Sequence, residues 1–158
     1  MKMRRSDREV TSPAKIQAIF SDANVCRLAF SAEDAPYIVP LSYGWQQENG
    51  EYVLYFHGAA TGRKLDLLRQ NPHVGFELDC GYQLKAAEAA CGFSAAFRSI
   101  IGTGKLEELT SSEEKRAGLA CILAHYSPRR DWSFPDAMLE RTCVLRLRIT
   151  SLCAKEHE

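Results

Sequence analysis

The dipeptide Asn49-Gly50, set between two strand-like runs, constrains this chain more than any other feature. Both residues tolerate the positive φ that a two-residue type I′ turn requires, and that turn twists as paired strands twist. A chain folded around such a turn rests on antiparallel strands. The run that follows it, Tyr52-Val53-Leu54-Tyr55-Phe56-His57, is rich in the aromatic and β-branched residues that strands favour.

Other segments repeat the signal. Val25 to Phe30 puts Cys26, Leu28 and Phe30 on one face, and His73 to Asp79 does the same with Val74, Phe76 and Leu78. Thr142 to Ile149 alternates as well. Tyr37-Ile38-Val39-Pro40-Leu41-Ser42-Tyr43 reads as one strand, with Pro40 marking an edge or a bulge. Arg98 to Leu109 reads as a long strand that bends or admits a close neighbour at Gly102 and Gly104. Three segments are helical instead. Ser12-Pro13 offers an N-cap and a first-turn proline before Ile16, Ile19 and Phe20. A short helix spans Gly62 to Arg69 and stops at Asn71-Pro72, and Ser111 with Glu114 forms a capping box ahead of Leu119, Ile122 and Leu123. Gly81 to Ala96 has no period and reads as irregular. About six strands with short helices between hairpins predict a mainly β chain, an antiparallel barrel in one domain over residues 1–158.

Twenty Lys+Arg balance twenty Asp+Glu, so the chain has no electrostatic reason to bind nucleic acid or an anionic membrane. Any anion it holds is held locally. No apolar run reaches the length of a membrane span, and Met1 to Glu9 lacks the apolar stretch of a secretory signal. The six cysteines form no C-x-x-C pair and have no histidine at a zinc-ligand spacing. We therefore expect no metal site, and reduced cysteines packed as small hydrophobes in the cytoplasm.

The chemistry concentrates where Tyr55-Phe56-His57-Gly58-Ala59-Ala60-Thr61-Gly62-Arg63-Lys64 leaves a strand and enters a helix. The first turn of a helix favours Asp and Glu, so Arg63 and Lys64 stand at its unfavourable end, by about 0.3–1 kcal/mol each when exposed. A bound anion reverses that sign, because free N–H groups, the dipole and two cations would all face it. The alternative is a solvated basic pair on a surface helix. His57 is either a structural histidine at a strand end or a proton donor beside a cofactor. The segment Arg98-Ser99-Ile100-Ile101-Gly102-Thr103-Gly104 offers a hydroxyl and a closely approachable backbone but lacks the G-x-G-x-x-G spacing of a dinucleotide fold. Phosphate-loop, nucleophile-elbow and zinc-protease motifs are also missing from the sequence.

These blocks, with Met3-Arg4-Arg5-Ser6-Asp7-Arg8-Glu9-Val10, Val25-Cys26-Arg27-Leu28-Ala29 and Pro36 to Gly44, resemble one family in order and spacing. It is the nitroimidazole-resistance (Nim) branch of the pyridoxamine 5'-phosphate oxidase-like, FMN-binding split-barrel superfamily. The resemblance implies a six-stranded split barrel and a homodimer with FMN at the subunit interface. It implies that Arg63 and Lys64 hold the flavin phosphate and that Ser99 approaches it. It places Val39, Pro40, Leu41, Ser42 and Tyr43 along the isoalloxazine ring, with Tyr55, Phe56 and His57 at the pocket and His57 as the catalytic group. NADH or NADPH and a small, nitroaromatic-type acceptor would be transient ligands. Two further readings stay open: a flavin-binding or sensing module without turnover, and a split barrel holding deazaflavin or haem, with His57 or His73 as axial ligand. Tyr43, Trp45 and Phe56 lie on or beside strands that a lone barrel would leave partly bare. That predicts a dimer interface of at least about 1,600 Å² to bury them.

Overall fold

A computed structural model describes residues 4–158; Met1 to Met3, part of the N-terminal blocks above, lie outside the described residues. The elements run β1 (Glu9–Val10), α1 (Pro13–Asp22), β2 (Cys26–Phe30), β3 (Tyr37–Leu41), β4 (Tyr43–Glu48) and β5 (Glu51–Ala59). They continue with α2 (Arg63–Gln70), β6 (His73–Lys85), β7 (Ser94–Glu108), α3 (Ser112–Tyr126), α4 (Asp136–Arg141) and β8 (Thr142–His157). The fold is mainly antiparallel β with short helices, as the sequence pattern predicts. Among the described residues the strands number eight and not six. Tyr37 to Tyr43 breaks at Ser42 into two strands, and the short β1 adds to the edge of β8.

The strand order is β3-β2-β6-β7-β8-β5-β4, so β3 and β4 occupy opposite edges of one sheet. Ser42 alone separates them in the chain. Successive Cα atoms are about 3.8 Å apart, so the two edges must meet at Ser42. The sheet therefore curls into a barrel without a ladder of hydrogen bonds between β3 and β4. Pro40 lies on the edge strand β3, where its missing N–H costs no ladder bond.

Inside the curl, Phe20, Cys26, Leu28, Phe30, Tyr43, Leu54, Phe56, Leu78, Ile100 and Leu145 are all essentially inaccessible. Each large apolar side chain buried this fully contributes about 1.5–3 kcal/mol. The turn residues Asn49 and Gly50 both have positive φ, 50° and 87°, as the hairpin requires. Gly102 and Gly104 lie where a Cβ would collide with the carbonyls of Ser151 and Arg148 on β8, and the β7–β8 register shifts between Thr103 and Gly104. The Ser111 hydroxyl accepts the Glu114 N–H at 3.1 Å, which starts α3. Ser12 stands at the N-cap of α1 but makes no side-chain cap bond. Helix α3 packs outside β4 and β5, enclosing a second cluster of Val53, Tyr55, Leu119, Ile122, Leu139 and Val144.

The segment 81–96 corrects the expectation of an irregular excursion. Strands β6 and β7 continue past a bulge between Cys80 and Gln83 and pair as far as Lys85 with Ser94. Exposure on both faces of this arm, with Tyr82, Leu84 and Phe93 more than half exposed, removes the periodicity that burial imposes. No helix among the described residues is long and apolar enough to cross a membrane.

Candidate functional site

Strand β5 delivers the site. Its residues Val53 to Phe56 are all buried, because the core lies on one side and α3 on the other. At the next residue the strand emerges from this cover, and His57 is exposed. Small residues turn the chain, and Gly62 enters the helix with φ of 126°, a left-handed value that a side chain would strain. Gly62 caps α2 without a side-chain acceptor, so the N–H groups of the first turn that no carbonyl reaches remain free.

Arg63 and Lys64 open that turn. Arg63 is exposed, and its guanidinium carbon lies 5.0 Å above the ring of Tyr37 on β3. Lys64 is half-buried and lies back over β5, where a Cβ added to Gly58 would stand 2.7 Å from Nζ. Glycine at 58 makes room for that amine. Among the described residues Arg5, Lys15, Arg27, Arg69, Arg98, Arg116, Arg129, Arg146 and Arg148 each pair with a carboxylate. Arg63 and Lys64 pair with none, as do Arg4, Arg8, Lys85, Lys105, Lys115, Arg130, Arg141 and Lys155 among the described residues. What sets Arg63 and Lys64 apart is their place at a helix start with free N–H groups. Asp66, the acidic residue of the first turn, faces Arg69 at 3.8 Å. The start of α2 thus carries two cations without carboxylate partners, free N–H groups and a dipole end, with Arg63 over Tyr37 and Lys64 over Gly58. The chemistry of this donor set suits a phosphate dianion.

The other candidate residues are distributed unequally around this point. Tyr43 is fully buried, and its hydroxyl donates to the Phe20 carbonyl at 2.6 Å and to the Ala23 carbonyl at 3.2 Å. Burial drives its pKa far up, so it stays a neutral core group. Phe56 is also a core residue, and Val39 and Leu41 pack half-buried against the same core. Tyr55 points the other way, beneath α3. The side chains of these five residues are therefore packing groups, which leaves them backbone contacts with any ligand. Pro40 and Ser42 lie on the outward face of the β3–β4 edge, both exposed.

Ser99 stands apart from the two cations. Tyr37, Phe30, Val74 and Gly104 form one row across β3, β2, β6 and β7, and Ser99 lies farther along β7, about 16 Å of strand away. Within one chain, Arg63 and Ser99 do not meet.

The bareness expected of Tyr43, Trp45 and Phe56 is also corrected. Tyr43 and Phe56 are buried by their own chain, and Trp45 stacks on Phe20 at 5.5 Å. The exposed apolar surface lies elsewhere. Ile38 and Ile101 are 59% and 43% exposed and border an outward groove of about 410 Å³ floored by Ala29, Gly75 and Phe76. Sequence reasoning missed this groove, and it missed Tyr37 and Gly58. The groove does carry a sequence signal, since Ile38, Ala29 and Ile101 fall on the polar phase of their strands.

The comparisons with known proteins bear on the family and the fold. A family model described as pyridoxamine 5'-phosphate oxidase matches residues 12–156. An uncharacterized protein of Rhizobium meliloti is 29% identical over 104 residues, which are 66% of this chain and 59% of that protein's length. A candidate 5-nitroimidazole antibiotic resistance protein from Bacteroides thetaiotaomicron superposes with a TM-score of 0.81 at 26% identity, covering 94% of this chain and 86% of that one. A flavocytochrome from Azotobacter vinelandii superposes at 0.82 with 19% identity, over 99% of this chain and 72% of its own. An FAD and heme binding protein from Mycobacterium smegmatis does so at 0.82 with 19% identity, over 96% and 74%. These last two share the fold alone. With the family model matching nearly its whole length, this chain belongs to the pyridoxamine 5'-phosphate oxidase family.

Proposed function

We propose that this protein binds FMN and works as a small flavin-dependent reductase. The observation that carries the reading is the pair of cations without carboxylate partners, Arg63 and Lys64, at an uncapped helix start one short turn beyond the exposed His57. The phosphate is the part of FMN that this donor set would hold. The flavin's chemistry is to relay two electrons from NADH or NADPH to a small oxidised acceptor, and the Bacteroides relative suggests a nitroaromatic one. The protein's own part is position and protons. Arg63 and Lys64 anchor one end of the cofactor, Pro40 and Ser42 offer an exposed strand edge, and His57 can hold or deliver a proton at an imidazole nitrogen.

The reading includes a homodimer in the cytosol. The apolar groove beside Ile38 and Ile101 and the arm bearing Tyr82, Leu84 and Phe93 are unmatched on one chain. The arm continues the strands that floor the groove, so it cannot fold back onto its own chain's groove. A two-fold partner can cover both, since a residue contact made once in such an interface is made twice. The same partner could bring a second Ser99 toward the cations that the first cannot reach. The cysteines are all free, as a reducing compartment keeps them.

The visible spectrum of the purified protein tests the cofactor, followed by identification of what it releases. Flavin bands with FMN released support the reading; a Soret band or a deazaflavin spectrum overturns it. NADH oxidation with a nitroaromatic acceptor then separates a reductase from a module that only binds flavin. A monodisperse monomer in light scattering at micromolar concentration would remove the dimer.

A further inference from the structure

We propose that Tyr37 is a positioning residue: its ring holds the Arg63 guanidinium at the helix start without neutralising it, so that this end of α2 selects ligands carrying a phosphate. The inference rests on the FMN reading above and extends it to a residue that need not touch the cofactor.

The ring is itself held. Tyr37 pairs with Phe30 across the β2–β3 ladder, and the two rings lie 6.2 Å apart. Phe30 is 1% exposed, so Tyr37 is tied to the core while part of its face reaches the surface. Arg63 lies over that face at 5.0 Å, within cation–π range. The nature of this partner matters. A carboxylate would occupy the N–H fork and neutralise the charge, leaving little for a ligand. An aromatic face attracts the cation through its π-system without taking up its charge or acting as a carboxylate acceptor for its N–H fork. An exposed arginine otherwise samples many rotamers, and ordering it opposes binding. The cation–π contact with Tyr37 restricts those rotamers before a ligand arrives. Arg63 is thus aligned without being satisfied.

Double-mutant calorimetry with FMN on the apo protein tests this. Tyr37→Leu is expected to weaken FMN by about two- to fivefold, the value of an exposed cation–π contact expressed as affinity. In an Arg63→Ala background the same change is expected to do nothing. Tyr37→Phe is expected to keep the parent affinity, because the ring and not the hydroxyl acts. Equal losses in both backgrounds, no loss in the parent background, or a loss with Tyr37→Phe overturns the proposal. If Tyr37→Leu does not fold, Arg63→Lys carries the test. It keeps the charge without the planar face and is expected to lose the same two- to fivefold, and parent affinity in that variant overturns the proposal. Failure of the FMN reading looks different: the folded parent protein then gives no binding heat, and both ideas fall together.

Discussion

Arg146 and Arg148, on β8, are met by carboxylates on every side, whereas Arg63 and Lys64, beyond the end of β5, are met by none among the described residues. Arg146 donates to Glu107 at 2.7 Å and to Glu114 at 3.1 Å, and Arg148 donates to Glu48 at 3.0 Å. Glu48 also accepts from the Tyr55 hydroxyl at 2.7 Å and from Gln46 at 2.8 Å. The result is a ladder that ties β4, β5, β7, β8 and α3 together on the outer side of the sheet. Its donors end on acceptors supplied by the chain, so it has little capacity for a ligand. The chain holds as many acidic as basic residues, so carboxylates were available for the start of α2 as well. The one acidic residue of that turn, Asp66, faces Arg69 and leaves both cations unmatched. The β8 cations spend their donors on the chain's own acceptors, whereas the two at the start of α2 keep theirs beside free helix N–H groups.

That contrast breaks first at His57. If the end of β5 is a working site, His57→Ala should lower NADH-driven turnover by about 10²–10⁴-fold while FMN affinity and melting temperature stay near those of the parent. Unchanged turnover with every acceptor would make His57 an ordinary strand-end histidine.

The cations themselves come next. Arg63→Ala should weaken FMN by about ten- to a hundredfold, the worth of one charge-assisted hydrogen bond of about 1.5–3 kcal/mol. Riboflavin has the ring without the phosphate and should not register the change. Stability without FMN should hold or rise slightly, since an unfavourable cation–dipole contact is removed. Arg146→Ala should do the reverse. It should cost about 1–2 kcal/mol in urea unfolding, because its half-exposed carboxylate partners lose their donor, and leave FMN affinity unchanged. If both variants lose FMN alike, the distinction between matched and unmatched cations fails.

Much of this is legible in the residues. Burial follows the alternation of Cys26, Leu28 and Phe30, and the Asn49-Gly50 turn has the required φ values. The cation pair at a helix start is an anomaly of charge in the sequence itself. The break at Ser42 is hidden because Tyr37, Val39, Leu41 and Tyr43 keep one inward phase while the chain crosses from one sheet edge to the other. Alternation records which face is buried and not which strand is the neighbour. Side-chain roles around the site are hidden for a related reason. Val53 to Phe56 are buried on both faces of β5, so no period tells Tyr55 from Phe56. The Tyr37–Arg63 contact joins residues far apart in the chain, through a register that only the folded sheet reveals.

The smallest expected effect tests whether the ladder is structural alone. The Tyr55 hydroxyl is the largest influence holding the Glu48 carboxyl below the usual range, with Gln46 and Arg148 assisting and burial opposing. A carboxylate depressed in the folded state stabilises above its unfolded pKa, about 4.3, and that stability is lost as pH falls through the folded value. Tyr55 is shifted the other way. Burial, and then the bond to Glu48, push its pKa up to about 12. Its contribution is therefore complete below about pH 10 and is lost as pH rises toward that value. Tyr55→Phe removes the hydroxyl from both relations. It should cost about 0.5–1.5 kcal/mol at neutral pH, the net worth of one hydrogen bond, and flatten the pH dependence of stability on both the acid and the alkaline side. Urea unfolding at about pH 3.5, 7 and 11 measures this, and FMN affinity at pH 7 should match the parent. A penalty of equal size at all three pH values would separate Tyr55 from Glu48. A loss of FMN affinity would show that the ladder reaches the ligand site, and the two kinds of cation would no longer be independent.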